Sequence, residues 1–482
     1  MNNRWVAGLA LSALLAGCGG GSSGSVTTPP TSGTGGGSGS GTTGDSDSGT
    51  CSLSARKDWV LSQMREWYLF PDTLPAAPDA SQYDSVETFL DALAANARAQ
   101  GKDRYFTYLT SITEETEYFN SGATAGLGVR FTLDETGSQL IIAEAFENAP
   151  ALDAGLDRGT AITAIGTNEN TLVSVADLYA QGGTLAISDA LGPSTVGTTR
   201  AFRVTDANGT RVVTLAKAEY DIDPVSSRYG SKVITEGGEQ YGYINLRTFI
   251  YAADPELRAA IADFAAKGID KVIVDLRYNG GGLLSTAELM SNLLGGNRST
   301  SDVMYHVSFR PEKSSENETA YFAAEANAVS ATKIAFIGMG GTASASELVM
   351  NNFVPYLGEN DALIGTNTYG KPVGQIALDR EACDDRLRVI ALSLSNADNQ
   401  GDYFDGMAGT VKASCQAADD LGHAMGDPQE ASTRAALNFL QGKSCSPIFA
   451  GTALTTASVH RKRELLAPSR PSTAQREVPG LY

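Results

Sequence analysis

GTASASELV, residues 341–349, sets two serines, Ser344 and Ser346, in a run of small residues. KIAFIG (333–338) before it reads as a buried strand, and ELVMNNFV (347–354) after it as a helix. The turn from strand to helix is where an open α/β sheet carries its chemistry. The same alternation continues on both sides. YGYINLRTF (241–249) and KVIVDL (271–276) read as strands. NGGG (279–282) breaks the second, LLSTAELMSNLL (283–294) reads as a helix, and ALIG (362–365) as a further strand. Strands alternating with helices imply a parallel sheet with crossover helices.

A serine hydroxyl attacks only with the help of a base. The chain has three histidines, His306, His423 and His460, and none stands in a catalytic context. Lysine serves instead when burial keeps its amine neutral near pH 7. TYGKPVGQ (368–375) offers Lys371 in a glycine-flanked loop, with Gln375 four residues on to hold the amine. A parallel crossover brings Ser344 and Lys371 to the same carboxyl edge of the sheet. Acyl transfer also needs donors for an oxyanion. NGGG supplies N–H groups with no side chain in the way, and the helix start after Ser344 adds more.

Upstream, residues 122–220 are richer in glycine and β-branched residues, with alternating stretches QLIIAEAF (139–146) and RVVTLAKA (211–218). APALDAGLDRGTAITAIG (149–166) reads as a short helix, a turn and a strand, and resembles the PDZ pattern. AGLGVRF (125–131) is then the loop and strand that receive a peptide by β-augmentation, with Gly126, Leu127, Gly128 and Val129 as the peptide-binding residues. Thr160 stands where PDZ domains usually carry Asp. Before this, residues 53–118 read as helical. Trp59, Val60, Met64, Trp67 and Tyr68 recur at helical spacing, and Asp84 with Glu87 reads as a capping box.

DLRYNGGGLL (275–284), GTASASELV and TYGKPVGQ follow in this order after the PDZ-like segment. Together they resemble the carboxyl-terminal processing proteases, serine peptidases with a Ser-Lys dyad. DRYFTYLTS (103–111) resembles their front domain. The resemblance implies a multidomain chain. It has an N-terminal helical region (51–118), a PDZ-like β-rich domain (119–222) and an α/β ClpP/crotonase-like peptidase core (223–446). Residues 447–482 hold scattered Arg, Ser and Pro and read as a disordered tail.

Carried over by motif, Ser344 is the nucleophile, Lys371 the general base and Gln375 its orienting partner. Gly282 and Ala345 give the oxyanion N–H groups. Lys371 follows Ser344 by 27 residues, about two more than the family interval, which points instead to Ser346. The motif letters favour Ser344, and PYLGENDA (355–362) accommodates the extra length. Ser346 then caps the helix beginning at Glu347. NGGG also replaces the commoner NPGG.

The implied activity is endopeptidase cleavage of unfolded or tail-exposed proteins through an acyl-enzyme, after PDZ capture of their C-termini. The alternative is a PDZ-bearing, peptide-binding scaffold with a dead core, against which Ser344, Lys371 and Gln375 stand together. Acyl-CoA chemistry on the same core fold does not suit an exported chain.

Export is read from the N-terminus. Arg4 precedes an apolar run ending at Cys18, too short to span a bilayer. LLAGC resembles a lipobox that closes a signal segment of residues 1–18, which implies cleavage just before Cys18 and lipidation of that cysteine. An ordinary secretory signal is the alternative. Gly19 in place of Asp points to the outer membrane, with the protein on its periplasmic or surface side. Residues 19–50 are almost wholly Gly, Ser and Thr, a flexible tether of about 30 Å root-mean-square span. Cys51, Cys383, Cys415 and Cys445 suggest disulfides with three pairings open. No CxxC pair is present and histidines are few, which argues against zinc, and no metal or other cofactor is expected. A net charge of −19 argues against nucleic acid as a partner.

Overall fold

The computed structural model describes residues 49–448 and 465–482. Cys18, its leader and all but the end of the 19–50 tether lie outside the described residues. Among the described residues, no helix is long and apolar enough to cross a membrane.

The apolar runs form a six-stranded sheet in the order Ser231–Glu236, Glu239–Asn245, Lys271–Asp275, Lys333–Gly338, Asp361–Gly365 and Ala413–Gln416. The first pair is antiparallel and every later pair is parallel. Alternate residues serve opposite faces. Val272, Val274, Ile334, Phe336 and Leu363 join one core with the helices Ala253–Ala266, Leu284–Leu294 and Ala345–Leu357. Ile273, Ala335, Ile337, Ala362 and Ile364 join a second core with Ala431–Leu440. Burial on both faces explains why these strands read as continuous apolar runs.

A second, antiparallel sheet lies beside the first. It runs Tyr108–Ser111, Asp385–Asn396, Val303–Phe309, Glu318–Tyr321, and Val373–Arg380 also pairs with Asp385–Asn396. The helices Leu53–Trp67 and Val86–Ala99 pack Val60, Met64, Phe89 and Leu93 against Leu387, Val389 and Ile390 of this sheet. The capping box at the start of Val86–Ala99 is one residue later than expected. Ser85 Oγ accepts from the Thr88 amide at 3.1 Å and Thr88 Oγ1 from the Ser85 amide at 3.3 Å. The cysteines pair as Cys51–Cys383 and Cys415–Cys445.

Residues between these parts form a β-rich sheet, Val129–Leu133, Leu140–Ala145, Ala161–Gly166, Thr199–Asp206 and Gly209–Ala216, with Pro150–Asp153 and Val175–Leu191 as its helices. A buried carboxylate ties it to the parallel sheet. Glu144 accepts from Arg130 Nε and from Arg247 Nε, both at 2.7 Å. Arg130 Nη1 also donates to Tyr278 O at 2.8 Å, just ahead of the NGGG run.

The expectation of a disordered tail fails for residues 465–482. Thr473–Glu477 is helical, and Ala474, Val478 and Leu481 are buried against Tyr118, Phe146 and Ile250. These apolar residues are too few to signal a core alone, and neighbours distant in sequence supply it. Residues 449–464 lie outside the described set.

Candidate active site

The strand Lys333–Gly338 ends in a turn pinned from below. Thr342 Oγ1 donates to Leu276 O at 2.8 Å, and the Ala343 amide donates to Asn279 O at 3.0 Å. Ser344 follows with φ 56° and ψ −117°, a backbone state that a residue with a Cβ seldom adopts. The helix Ala345–Leu357 begins at once, so Ser344 holds the N-cap position. Ser346 is not the cap that was expected. It lies inside the first turn, fully buried, and its hydroxyl donates to Asn279 O at 3.0 Å. Of the two serines only Ser344 is partly open to solvent.

The NGGG run passes alongside. Asn279 Oδ1 accepts from the Gly281 amide at 2.9 Å, and Asn279 Nδ2 donates to Leu246 O at 2.9 Å. Gly281 has φ 121° and Gly282 φ 133°. A Cβ on Gly281 would stand 2.8 Å from the Ser344 Cβ, so glycine is what lets this run approach the serine. The same Cβ would stand 3.2 Å from the amide of Ala345, at the helix start. The ladder bonds to Phe249 come from Gly281 O and the Leu283 amide. The Gly282 N–H therefore points away from Phe249.

Lys371 enters from a different element, just before the strand Val373–Arg380. Its Nζ donates to Gln375 Oε1 at 3.0 Å and lies 5.1 Å from the centre of the Phe106 ring. Gln375 Nε2 in turn donates to Phe106 O, which sets the amide's orientation. The side chain is only 9% exposed. Burial pushes its amine below the ordinary lysine value, Arg476 and Arg388 add to the effect, and Glu477 and Asp103 oppose it. A neutral amine held by an amide oxygen is able to accept a proton.

The residue that sequence reasoning missed is Glu347. It is fully buried and accepts from four donors: the amides of Ser344 (3.0 Å), Gly370 (2.6 Å) and Lys371 (2.7 Å), and Thr368 Oγ1 (2.6 Å). Burial pushes its carboxyl up, and these four hydrogen bonds work against that. The signal was present, since Ser344 and Glu347 stand at capping-box spacing.

Ser344, Lys371, Gln375, Gly282 and Ala345 thus come from one neighbourhood at the carboxyl edge of the parallel sheet. Gly126, Leu127, Gly128 and Val129 lie apart from them, at the edge of the β-rich sheet. There the amides of Leu127, Gly128 and Val129 all donate to Tyr482 O, at 2.9, 3.0 and 3.4 Å. Gly126 flanks the same carbonyl group, and a Cβ on it would fall 2.8 Å from Tyr482 C. No metal-binding cluster occurs among the described residues.

The chain is 24% identical over 328 residues to the chloroplastic C-terminal processing peptidase of Tetradesmus obliquus, covering 66% of this chain and 64% of that protein. It is 25% identical over 251 residues to a carboxyl-terminal-processing protease of Synechocystis sp., covering 52% and 54%. The chain spans between half and two-thirds of the length of these relatives. A solved structure from Bacteroides fragilis NCTC 9343, named for the S41 proteases, superposes with a TM-score of 0.60 at 22% identity, covering 80% of this chain and 97% of that one. That likeness shows the fold. The family model for the S41 peptidase domain matches residues 240–394, which hold the serine turn, the NGGG run and Lys371, and the S41 N-terminal domain matches residues 55–108. Over these two segments the chain carries the sequence pattern of peptidase family S41.

Proposed function

We propose that the chain is a serine endopeptidase working through a Ser344–Lys371 dyad. Neutral Lys371 takes the Ser344 proton as Oγ attacks the scissile carbonyl. The amides of Gly282 and Ala345 receive the oxyanion. The resulting ammonium returns the proton to the leaving amine, which leaves an acyl-enzyme on Ser344. Water then adds with Lys371 again as base, and the acyl group departs as a carboxylic acid. Gln375 keeps the amine aimed throughout. The observation that carries this reading is the buried, amide-held amine of Lys371, its backbone tied to that of Ser344 through Glu347.

Substrate tails are captured by the PDZ-like edge at Gly126–Val129, a role supported by the convergence of three amides there on one carbonyl oxygen. The substrates are unfolded or tail-exposed proteins outside the cytoplasm, and the chain reaches them from a lipid on Cys18. The test is incubation with casein, a disordered protein, beside Ser344→Ala. Fragments from the native chain and none from the variant support the reading. Equal fragments from both overturn it. Cys18→Ser releases the protein from membranes without loss of cleavage, and a variant that still sediments with them removes the anchor.

A further inference from the structure

Residues 465–482 join the capture edge to the catalytic cleft in one stretch. At the edge they add to the strand Val129–Leu133. The Tyr482 amide donates to Val129 O at 2.9 Å, the Phe131 amide donates to Gly480 O at 2.9 Å, and the Leu466 amide donates to Phe131 O at 2.9 Å. The Tyr482 ring is buried beside Phe131, and its hydroxyl donates to Ser188 Oγ at 3.0 Å. At the cleft, the Gly280 amide donates to Glu477 O at 2.9 Å. A Cβ on Gly280 would meet Arg476 O at 2.4 Å, so this backbone lies directly on the NGGG run. Arg476 Nη1 donates to Tyr105 O at 3.0 Å, and Thr473 shares a 3.2 Å hydroxyl contact with Thr110. The buried carboxyl of Glu477 is among the charges that act on Lys371.

We propose that residues 465–482 are an intramolecular occupant of both places, which an incoming substrate tail must displace. The inference rests on the capture reading of the Gly126–Val129 edge. An extended peptide carrying an aromatic such as tyrosine directly after an aliphatic residue matches the bonds and the two apolar sites now filled by Tyr482 and Leu481. A tethered ligand competes at an effective concentration set by its linker, on the order of millimolar for short ones. It therefore lowers the apparent affinity for any peptide arriving from solution.

The test uses a fluorescent peptide of sequence EVPGLY, matching residues 477–482, with either a free carboxylate or an amide at its end. Binding is read by polarisation in the Ser344→Ala background, so that no catalysis is needed. Tyr482→Asp puts a charge in the pocket and releases the native segment. It should bind the carboxylate peptide at least tenfold more tightly than the parent chain. Adding Gly126→Ala to it should abolish the gain. With Ser344 restored, Tyr482→Asp should cleave dilute casein several-fold faster than the native chain. If Tyr482→Asp does not fold, Gly480→Val, which strains a residue at φ 88°, carries the same comparison. Equal peptide affinity in parent and variant overturns the displacement model and leaves the capture edge standing. A peptide that binds neither overturns the capture edge and, with it, the inference.

Discussion

The backbone amides of Ser344 and Lys371 hang from one carboxylate oxygen, Oε2 of Glu347, at 3.0 and 2.7 Å. The serine turn and the lysine loop belong to different elements, and this buried side chain fixes their separation. Glu347→Gln keeps the shape but turns one oxygen into a donor facing donors. Displacing reacting groups by about 1 Å costs on the order of 100-fold in rate. We expect kcat on a disordered substrate to fall by about that factor while KM changes little. An unchanged kcat would remove Glu347 from the positioning of the dyad.

The proposed role and the burial of Lys371 predict two pH dependences. Activity should rise with pH through the depressed value of its amine, because only the neutral form accepts the proton. Stability has its own sign. A lysine whose folded value lies below its unfolded value costs stability in full at low pH. The cost fades as pH rises from the depressed value to about 10.4, where the unfolded chain also loses the proton. Lys371→Met should therefore abolish cleavage and yet raise Tm at pH 7, with the gain closing towards pH 10.5. Thermal melts across that range check it, and a lower Tm at pH 7 would contradict it.

Asp361, fully buried at the start of its strand, has neither carboxylate oxygen hydrogen-bonded, and burial raises its pKa well above the ordinary value. Holding it neutral costs nothing below the unfolded value of about 3.9, and about 1.4 kcal/mol per pH unit above it until the folded value is reached. Asp361→Asn removes that cost. Its Tm advantage should be absent near pH 4 and grow towards pH 7. A pH-independent difference would mean that the carboxyl ionises in place.

The parallel sheet was legible because strands buried on both faces spell themselves out, as in KIAFIG and KVIVDL. The serine turn and the lysine loop were legible for a related reason, since glycines mark where backbone must pass close. The antiparallel sheet was not. Asp385–Asn396 carries Arg386 and Arg388, whose charges are met by Glu115 from a helix some 270 residues earlier, so local composition looks polar. Residues 465–482 escaped notice because their partners, Tyr118, Phe146 and the Val129–Leu133 edge, are equally remote. Ser346 was misread because its acceptor, Asn279 O, is reached only in the fold.

The two serines should separate by what each loses. Ser346→Ala removes one of two donors to Asn279 O and leaves the Ala343 amide in place, a loss of about 0.5–1.5 kcal/mol, visible in Tm. Turnover should fall only modestly.

The most direct test of the dyad is covalent. A fluorophosphonate, which phosphonylates an activated serine, is applied to the native chain, to Ser344→Ala, to Ser346→Ala and to Lys371→Met, and the adduct is mapped by mass spectrometry of tryptic peptides. The account predicts one adduct on Ser344 in the native chain and in Ser346→Ala, and none in the other two. An adduct on Ser346, or labelling of Ser344 undiminished in Lys371→Met, would contradict it.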